Sequence, residues 1–384
     1  MRQTKGTILI FVLLLAYSCI KPYIPQIKNG EESKYVILGK ITDIEGWQVV
    51  DISLSSPIED PAHIPVSGCS VRILDDKGNS FSLSEYDPGR YRIWLEQKYL
   101  VPGTAYKVTV ITPQEEMIES SYDTLYAGAP LDSVYFILED MPTSDPSVFR
   151  RGIQFYVDLN AGNIPCRFFK WDVVETWEFH SAFPVEYYYD GEFHQVDPPD
   201  YSNNVCWTSG RVKNVYTVST KNLSQNSFEK YPLHFVDGKS SRLSILYSIL
   251  VSQHALGANA YNYWEQVRIK NSEQGGLYEK QPFAIKGNLN NTTNPDNEVR
   301  GYFYAASESS KRYFYENVQG LELDFTNYCN EDILGHGGWR QFTPSDYPVY
   351  YHYNLNHGLR ILNNECVDCR LMGGSTTKPD FWPK

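Results

Sequence analysis

Short stretches in which apolar and polar residues alternate recur along most of the chain, and turn residues separate them. Such alternation is typical of β-strands, because successive side chains of a strand point to opposite faces. Near the beginning of the chain these stretches are YVILGKIT, QVVDISLS, CSVRILDDKGNSFSLSE, GRYRIWL and TAYKVTVIT. Their spacing of roughly 8–12 residues favours a β-sandwich. Residues 75–79, DDKGN, predict a hairpin in which Gly78 adopts a positive φ.

Composition supports a mainly β, folded protein and argues against one function. Hydrophobic residues make up 42% of the chain, which is enough for a core, and 30 tyrosines raise the aromatic share to 15%. Tyrosine suits half-buried strands and also ligand-binding surfaces. The net charge is −12, and Lys and Arg are not clustered. Nucleic acid binding is therefore not expected, since it requires a basic face.

The N-terminus has the layout of an export signal. Two basic residues precede residues 7–17, an uncharged apolar stretch that is shorter than the roughly 20 residues a membrane-spanning helix needs. The next segment, LAYSC, resembles a bacterial lipobox, whose cysteine carries the lipid in the mature protein. We predict a lipoprotein signal peptide at 1–18, lipidation of Cys19 and a lipidated tether at 19–34. The alternative is that Cys19 merely lies near the end of the apolar stretch.

Two folded units are predicted after the tether. Residues 65–93, PVSGCSVRILDDKGNSFSLSEYDPGRYRI, resemble the carboxypeptidase-regulatory or transthyretin-like module, which implies an Ig-like β-sandwich over 35–130. Residues 131–384 are predicted to form a larger β-rich domain. Within it, apolar residues at helical spacing predict one amphipathic helix at about 257–273. Periodicity is lost in a loop-rich tail at about 320–384.

Familiar catalytic signatures are absent from the sequence, which has no HExxH, no GxSxG, no P-loop and no GxGxxG after a strand. His352 and His357 come closest to a histidine cluster, but their five-residue offset fits neither a helix face nor a strand face. We therefore predict no metal site and no cofactor. Asp172, Glu175 and Glu178 supply carboxylates in WDVVETWEF, but their spatial separation cannot be derived from their spacing. We predict that the protein is not an enzyme.

Aromatic residues in two predicted strands are candidate ligand contacts. In WDVVETWEF, Trp171, Glu175 and Trp177 share one strand face, which combines aromatic rings with a carboxylate and suits a sugar or a peptide. A run of three tyrosines follows. The candidate contacts are Trp171, Trp177, Tyr187, Tyr188 and Tyr189. The alternative for both groups is ordinary packing on a sheet.

The cysteines favour crosslinks. The chain has seven, and lipidation of Cys19 leaves six, an even number that fits disulfides in an exported protein. The CVDC segment at 366–369 is open to three interpretations: half a zinc site, a redox site or structural disulfides. A zinc site would need a second pair at similar spacing, and a redox site would need a helix N-terminus after a strand. Structural disulfides are therefore favoured.

Six cysteines allow fifteen pairings, among which sequence alone does not choose. We predict that both cysteines of CVDC pair with more distant cysteines. The disulfide candidates are Cys206, Cys329, Cys366 and Cys369. Cys69 and Cys166, in strand-like stretches, are predicted to remain thiols.

A set of segments spread along the mature chain carries a resemblance to a known family. They are KPYIP after the lipobox, PVSGCSVRILDDKGNSFSLSEYDPGRY, DSVYF, GIQFYVDL, FFKWDVVETWEF, CW at 206–207, RLSILYSILVSQHALGANAYNYWEQV, QPFAIKGNLNNTTNPDNEVRGYFYAAS and CVDCRLMGGSTTKPDFW. In these segments the chain is similar to the Bacteroidota lipoproteins grouped as domain of unknown function 4249. The resemblance implies a lipid-anchored protein of the outer membrane, typically encoded beside a TonB-dependent receptor, and implies no particular reaction.

Three hypotheses of function follow. The first is a non-enzymatic accessory or substrate-capture partner of a TonB-dependent receptor, with its ligand left open. The second is a structural or adhesin-type surface component, and the third is a hydrolase of glycans or peptides. A close pair of carboxylates in a cleft would favour the hydrolase. The residues after Cys19 lack an acidic run, so the sequence leaves open whether the protein faces the periplasm or the medium.

Overall fold

The structure is a computed structural model that describes residues 33–57, 61–273, 284–323, 329–335, 338–356 and 358–383. Within these ranges the protein is mainly β, as predicted, with twenty-four strands in four sheets and one α-helix, α1, at Ala258–Glu273. The helix lies where helical spacing predicted it. The predicted signal peptide, Cys19 and nearly all of the tether lie outside the described residues.

The largest sheet has ten strands and joins early and late segments of the chain. Its strands are β1 (Tyr35–Thr42), β2 (Gly46–Leu54), β3 (Ile64–Pro65), β6 (Ser84–Asp87), β7 (Arg90–Leu95), β13 (Phe168–His180), β16 (Val205–Arg211), β17 (Tyr216–Ser219), β19 (Leu246–Ala255) and β21 (Arg300–Glu316). Eight of them lie in the order β16-β13-β19-β21-β1-β2-β7-β6, while β17 pairs with β13 and β3 with β2. The β1–β21 pairing is parallel and the others are antiparallel.

Three smaller sheets complete the fold. The six-stranded sheet contains β4 (Ser70–Asp75), β5 (Ser80–Ser82), β8 (Ala105–Ile111), β9 (Met117–Ser120), β10 (Asp123–Thr124) and β20 (Leu289–Asn291). The three-stranded sheet contains β11 (Ser133–Pro142), β12 (Phe149–Asn160) and β18 (Ser227–Asp237). The five-stranded sheet contains β14 (Val185–Tyr189), β15 (Phe193–Asp200), β22 (Glu331–Ile333), β23 (Val349–Asn354) and β24 (Gly358–Leu362).

The β4–β5 hairpin is the one predicted from DDKGN. Gly78 has a φ of +90°, and the Asp75 carboxylate accepts hydrogen bonds from the backbone N–H groups of Lys77 (3.0 Å) and Asn79 (2.8 Å). Such side-chain bonds to the turn backbone stabilise the reversal.

One face of the ten-stranded sheet carries both large cores. Around β1, β2 and β7 it packs on the six-stranded sheet, with Ile37, Val108 and Phe303 in the shared core. Around β13 and β19 it packs on the three-stranded sheet, with Phe155 and Trp171 at the centre. The molecule is therefore sandwich-like along its length, because a single long sheet is covered on this face by two shorter ones.

The opposite face of the ten-stranded sheet is covered only in part. Helix α1 lies over β13, β17 and β21, where Trp264 packs with Tyr302 and Tyr304. The helix predicted from the sequence therefore covers part of this face. Over β1, β2 and β7 the same face is exposed, and Trp47 and Trp94 stand on it.

The two units predicted from the sequence are interleaved in space. Strand β20 pairs with β9, and β21 pairs with β1, so segments after residue 284 complete the N-terminal sandwich. Leu289, Val299 and Ala305 belong to its core. The boundary predicted near residue 130 therefore divides the chain within a continuous sheet, because pairings between distant segments leave no local pattern in the sequence.

Two disulfides form among the four cysteines that the sequence singled out. Cys206 of β16 bonds to Cys369 and ties the tail to the body, whereas the bond between Cys329 and Cys366 lies within the tail. The two cysteines of CVDC therefore have different partners and do not close on each other. Cys69 and Cys166 are unpaired, and each lies just before a strand rather than inside one.

The tail is more regular than its sequence suggests. It contributes β22, β23 and β24 to the five-stranded sheet, and β23 pairs with β14 from far earlier in the chain. Beyond the second disulfide, Ser375 forms a β-bridge with Trp207. Gly374 passes so close to β16 that a Cβ atom there would lie 2.5 Å from the Cβ of Cys206. The last described residues are thereby packed on the body.

Candidate functional site

The first predicted ligand contact, Trp171, is in the core and was wrongly expected on an accessible face. Its side chain is 0% exposed, its ring stacks on Tyr231 with centroids 4.8 Å apart, and its Nε1 donates to Gln253 Oε1 at 3.1 Å. This face of β13 is covered by the three-stranded sheet. Trp177 shares the face but is half-buried, with the Arg242 guanidinium 5.6 Å from its ring.

Glu175, the carboxylate of that face, is held in a polar cluster. Arg242 Nη1 donates to both of its oxygens at 2.8 and 2.9 Å, and Tyr247 Oη donates at 3.1 Å. His234 Nε2 lies 3.2 Å away. Burial favours a raised pKa, but the contacts with His234 and Arg242 outweigh it, so the pKa of Glu175 lies below its ordinary value. Glu175 is thus an ionised structural partner of Arg242.

No two of the three carboxylates that a hydrolase would use form a catalytic pair. Asp172 and Glu178 lie on the face of β13 opposite to Glu175. Six residues of strand, about 20 Å, separate those two from each other. Glu178 is also engaged, by His180 Nε2 at 3.0 Å and by Trp382 Nε1 at 3.0 Å. Because of these separations, no two of the carboxylates are placed to share a proton.

The tyrosines of β14 form part of an aromatic cluster on the five-stranded sheet. Tyr187 stacks on Tyr351 with centroids 5.2 Å apart, whereas Tyr188, on the other face, stacks on His194 at 4.6 Å. Tyr189 contacts Trp339 at 5.0 Å. The rings of Tyr187 to Tyr189 are half-buried. Tyr189 packs on Trp339 of the short 3₁₀ segment Gly338–Gln341, and all three tyrosines keep only part of their surface accessible.

A second aromatic group lies on the uncovered part of the ten-stranded sheet, and the sequence analysis did not single it out. Trp47 and Trp94 are paired across β2 and β7, with ring centroids 5.5 Å apart and planes at 89°. They are 52% and 50% exposed. The Arg92 guanidinium lies 4.2 Å from the Trp47 ring centroid and 4.4 Å from that of Tyr86. We call this surface the aromatic–arginine face; its residues are Trp47, Tyr86, Arg90, Arg92 and Trp94.

The charges of the aromatic–arginine face are unevenly paired. Arg90 forms ion pairs with Asp51 at 3.2 Å and with Asp87 at 3.9 Å, and its hydrogen bond to Asp51 raises the pKa of Arg90. Within the described part of the chain, Arg92 makes neither a hydrogen bond nor an ion pair. Its contacts are the two rings.

A local signal for this face exists in the sequence. In GRYRIWL, alternation places Trp94 on the same side as Arg90 and Arg92, whereas Tyr91 and Leu95 lie on the other. A tryptophan on the charged side of a half-buried strand is unusual for packing, because large aromatic side chains are normally directed to the core. The same argument applies to Trp47, opposite Trp94.

A row of charged side chains crosses four adjacent strands beside α1. Lys170 Nζ lies 2.5 Å from Asp172 Oδ1, and His254 Nε2 lies 3.0 Å from Asp172 Oδ2. Lys40 Nζ donates to Glu308 Oε2 at 3.0 Å, and that oxygen is 3.8 Å from His254 Nδ1. Burial, with nearby Lys40, lowers the pKa of His254 to about 4. Two cations thus balance two carboxylates around a neutral imidazole, which allows the row to be buried.

His254 is expected to make stability fall in mild acid. The free chain protonates it near its ordinary pKa of 6.5, whereas the folded protein resists protonation until about pH 4. Its contribution is complete above pH 6.5 and is lost as the pH falls toward 4, by up to about 3 kcal/mol. Chemical unfolding at pH 7 and pH 4 should show a smaller drop for His254→Gln than for the native protein.

The matched control for this measurement is His63→Gln, because His63 is exposed on a loop. It should keep the drop of the native protein. An equal drop in native protein and His254→Gln would show that the buried imidazole does not set the acid sensitivity.

Metal and membrane features were sought in the described residues. Among them, no group of three or more His, Cys, Asp or Glu side chains is placed to hold a metal ion. His352 lies 3.1 Å from Glu186 and stacks on Phe183, while His357 is outside the described residues. In the described ranges, α1 and the shorter helices lack the length and apolarity needed to cross a bilayer.

These observations define a mainly β, sandwich-like protein that exposes an aromatic–arginine face. Residues 20–312 match the family described as Domain of unknown function (DUF4249). The chain belongs to this family, which confirms the assignment to domain of unknown function 4249. No curated protein matches the chain.

Proposed function

We propose that the protein is a non-enzymatic, lipid-anchored accessory protein of the outer membrane that works with a TonB-dependent receptor, either capturing its substrate or covering it. The single observation that carries the binding role is the exposed aromatic–arginine face. The lipobox-like segment ending at Cys19 supports the anchor, and the family resemblance supports the receptor as partner.

The composition of this face is that of an interface centre. Trp, Tyr and Arg are the residues that most often carry the binding energy of protein–protein contacts. Here they are also held in place before binding, since Arg92 packs on both Trp47 and Tyr86 and the two tryptophans pack against each other. Side chains that are already ordered lose less conformational entropy on association. The surface is thus suited to a partner.

The carboxylates of β13 favour binding over hydrolysis. A glycosidase needs two carboxyl groups within about 10 Å of each other. Asp172 and Glu175 project from opposite faces of the strand, and each is already paired with a cation. This separation supports the non-enzymatic role.

Affinity capture of the tagged full-length protein from detergent-solubilised envelopes of cells that naturally produce it is expected to recover a β-barrel receptor. Trp47→Ala/Trp94→Ala should lower that recovery roughly tenfold or more, because each tryptophan of an interface centre typically contributes over 1 kcal/mol. Quantitative mass spectrometry of the eluate measures the ratio.

The control is Phe149→Ala, which removes an aromatic ring that is 58% exposed at the start of β12, away from this face. It should leave recovery unchanged. Repeated recovery of the lipoprotein without a β-barrel protein would contradict the proposed function. Equal recovery of the receptor with native protein and with Trp47→Ala/Trp94→Ala would show that the receptor does not bind this face.

A further inference from the structure

Arg92 is the one arginine of the aromatic–arginine face without an acid partner in the described residues. Arg90 is paired with Asp51 and Asp87, whereas in the described ranges the guanidinium of Arg92 lies over the rings of Trp47 and Tyr86 and has no ion pair. Its N–H groups have no acceptor among the described residues either. A planar guanidinium held in this way is prepared to bind a carboxylate through two parallel N–H···O bonds.

We infer that the aromatic–arginine face binds an acidic segment of a partner protein, with an Asp or Glu carboxylate on Arg92 and the neighbouring part of the segment against Trp47 and Trp94. The inference rests on the proposed function and adds the chemistry of the partner surface. Charge complementarity carries it: the carboxylates of this face, Asp51 and Asp87, are already engaged by Arg90, so Arg92 can receive an outside anion.

The ring geometry favours a peptide over a sugar. A sugar binds by laying its C–H face on an open aromatic face, but Arg92 covers one side of both Trp47 and Tyr86. Trp94 directs its ring at right angles to Trp47. Trp47 and Trp94 are each about half exposed, and the N–H groups of Arg92 have no acceptor among the described residues. Such a surface suits apolar side chains and a carboxylate of a peptide.

The surrounding charge favours a single carboxylate over a polyanion. Asp51 and Asp87 lie beside Arg90 on this face, and the whole chain has a net charge of −12. A polyanionic polysaccharide or an anionic lipid surface would bring many charges against these carboxylates. A single carboxylate bound at Arg92 avoids this repulsion, because it brings only one negative charge to the face.

Site-specific photo-crosslinking tests the inference. Leu38 is exposed on the same face and pairs with Asp51 of β2, so p-benzoylphenylalanine at position 38 would lie against a bound partner. In full-length protein in cells that naturally produce it, irradiation is expected to give an adduct with a protein segment carrying Asp or Glu next to the crosslink. Arg92→Glu should lower adduct yield roughly tenfold or more, since it places like charges together.

Arg72→Glu is the matched control, because it reverses an exposed strand arginine on the six-stranded sheet. It should leave the yield unchanged. Replacing the acidic residue of the crosslinked segment with Arg should restore the adduct in Arg92→Glu protein, which a folding defect would not allow. Thermal midpoints of both variants provide the folding check.

The inference would be overturned by the absence of an adduct, or by an adduct with a glycan, a lipid, a second copy of this chain or a segment lacking Asp and Glu. A β-barrel receptor recovered equally by Arg92→Glu and native protein would also overturn it, while the proposed function would stand. Failure of the native protein to recover any β-barrel while an acidic segment is crosslinked would instead reject the receptor and keep the acidic contact.

Discussion

Replacing Gly301 with alanine is expected to lower the free energy of unfolding by about 3–5 kcal/mol. Gly301 lies in β21 opposite Ile37 of β1, where the two strands pair in parallel, and its φ is +97°. A Cβ atom there would lie 2.0 Å from the Ile37 carbonyl oxygen. That oxygen belongs to the backbone of β1 and cannot move away without separating β1 from β21. The variant therefore combines steric repulsion with the strain of a left-handed backbone, and chemical denaturation at neutral pH measures the loss.

Alanine variants at two other glycines distinguish the contribution of steric repulsion from that of backbone strain. Gly78 has a φ of +90° but open space around a Cβ, so Gly78→Ala should cost only the backbone strain, about 1–2 kcal/mol. Gly210→Ala, with open space and no positive φ, should stay within about 0.5 kcal/mol of the native protein. Equal losses for Gly301→Ala and Gly78→Ala would contradict close contact between β1 and β21, and with it the joining of the early and late segments.

Removing the disulfide between Cys206 and Cys369 should lower the free energy of unfolding by an amount similar to that expected for Gly301→Ala. The two residues are 163 positions apart, and a crosslink over such a loop stabilises the folded state by about 4–5 kcal/mol in the chain-entropy treatment. Both cysteines are fully buried, with Phe179 packed beside them. Cys206→Ala/Cys369→Ala is therefore expected to unfold at clearly lower denaturant concentration, and its tail should become open to limited proteolysis near Gly374.

Cys329→Ala/Cys366→Ala provides the comparison, because that bond spans only 37 positions and should contribute about 3–4 kcal/mol. Cys69→Ala removes an unpaired cysteine and should have a much smaller effect. Native protein whose unfolding midpoint is unchanged by a strong reducing agent would contradict a stabilising role for both bonds. Mass spectrometry of unreduced protein that finds any of the four cysteines as a free thiol would contradict the pairing.

Features with a local cause were predictable from the sequence. The hairpin at 75–79 follows from a glycine able to take a positive φ and from side chains that bond the turn backbone. Helix α1 follows from apolar residues at helical spacing, and the strands follow from alternation. The cysteines available for crosslinks follow from the predicted export and the count of thiols, since redox compartment and number are properties of the chain itself.

Alternation also decides which residues share a face, but not which face is covered. Trp171 shares its face with Glu175, as predicted, yet that face meets the three-stranded sheet and is buried. Trp94 shares its face with Arg92, and that face is exposed because α1 extends only over β13, β17 and β21. Alternation alone therefore predicted a ligand contact at a residue that is buried in the core. It did not identify the surface around Trp94, which is exposed.

By itself, then, the sequence determined the strand pattern, the turn, the helix and the set of bonded cysteines, because each depends on neighbouring residues or on composition. Only the tertiary structure decided that β21 pairs with β1, that one long sheet joins both predicted units, and that the tail forms strands with β14. These contacts join residues far apart in the chain, so their partners are selected by complementary surfaces rather than by local pattern. The aromatic–arginine face depends on both: its residues were visible in the sequence, and its exposure was decided by what the fold left uncovered.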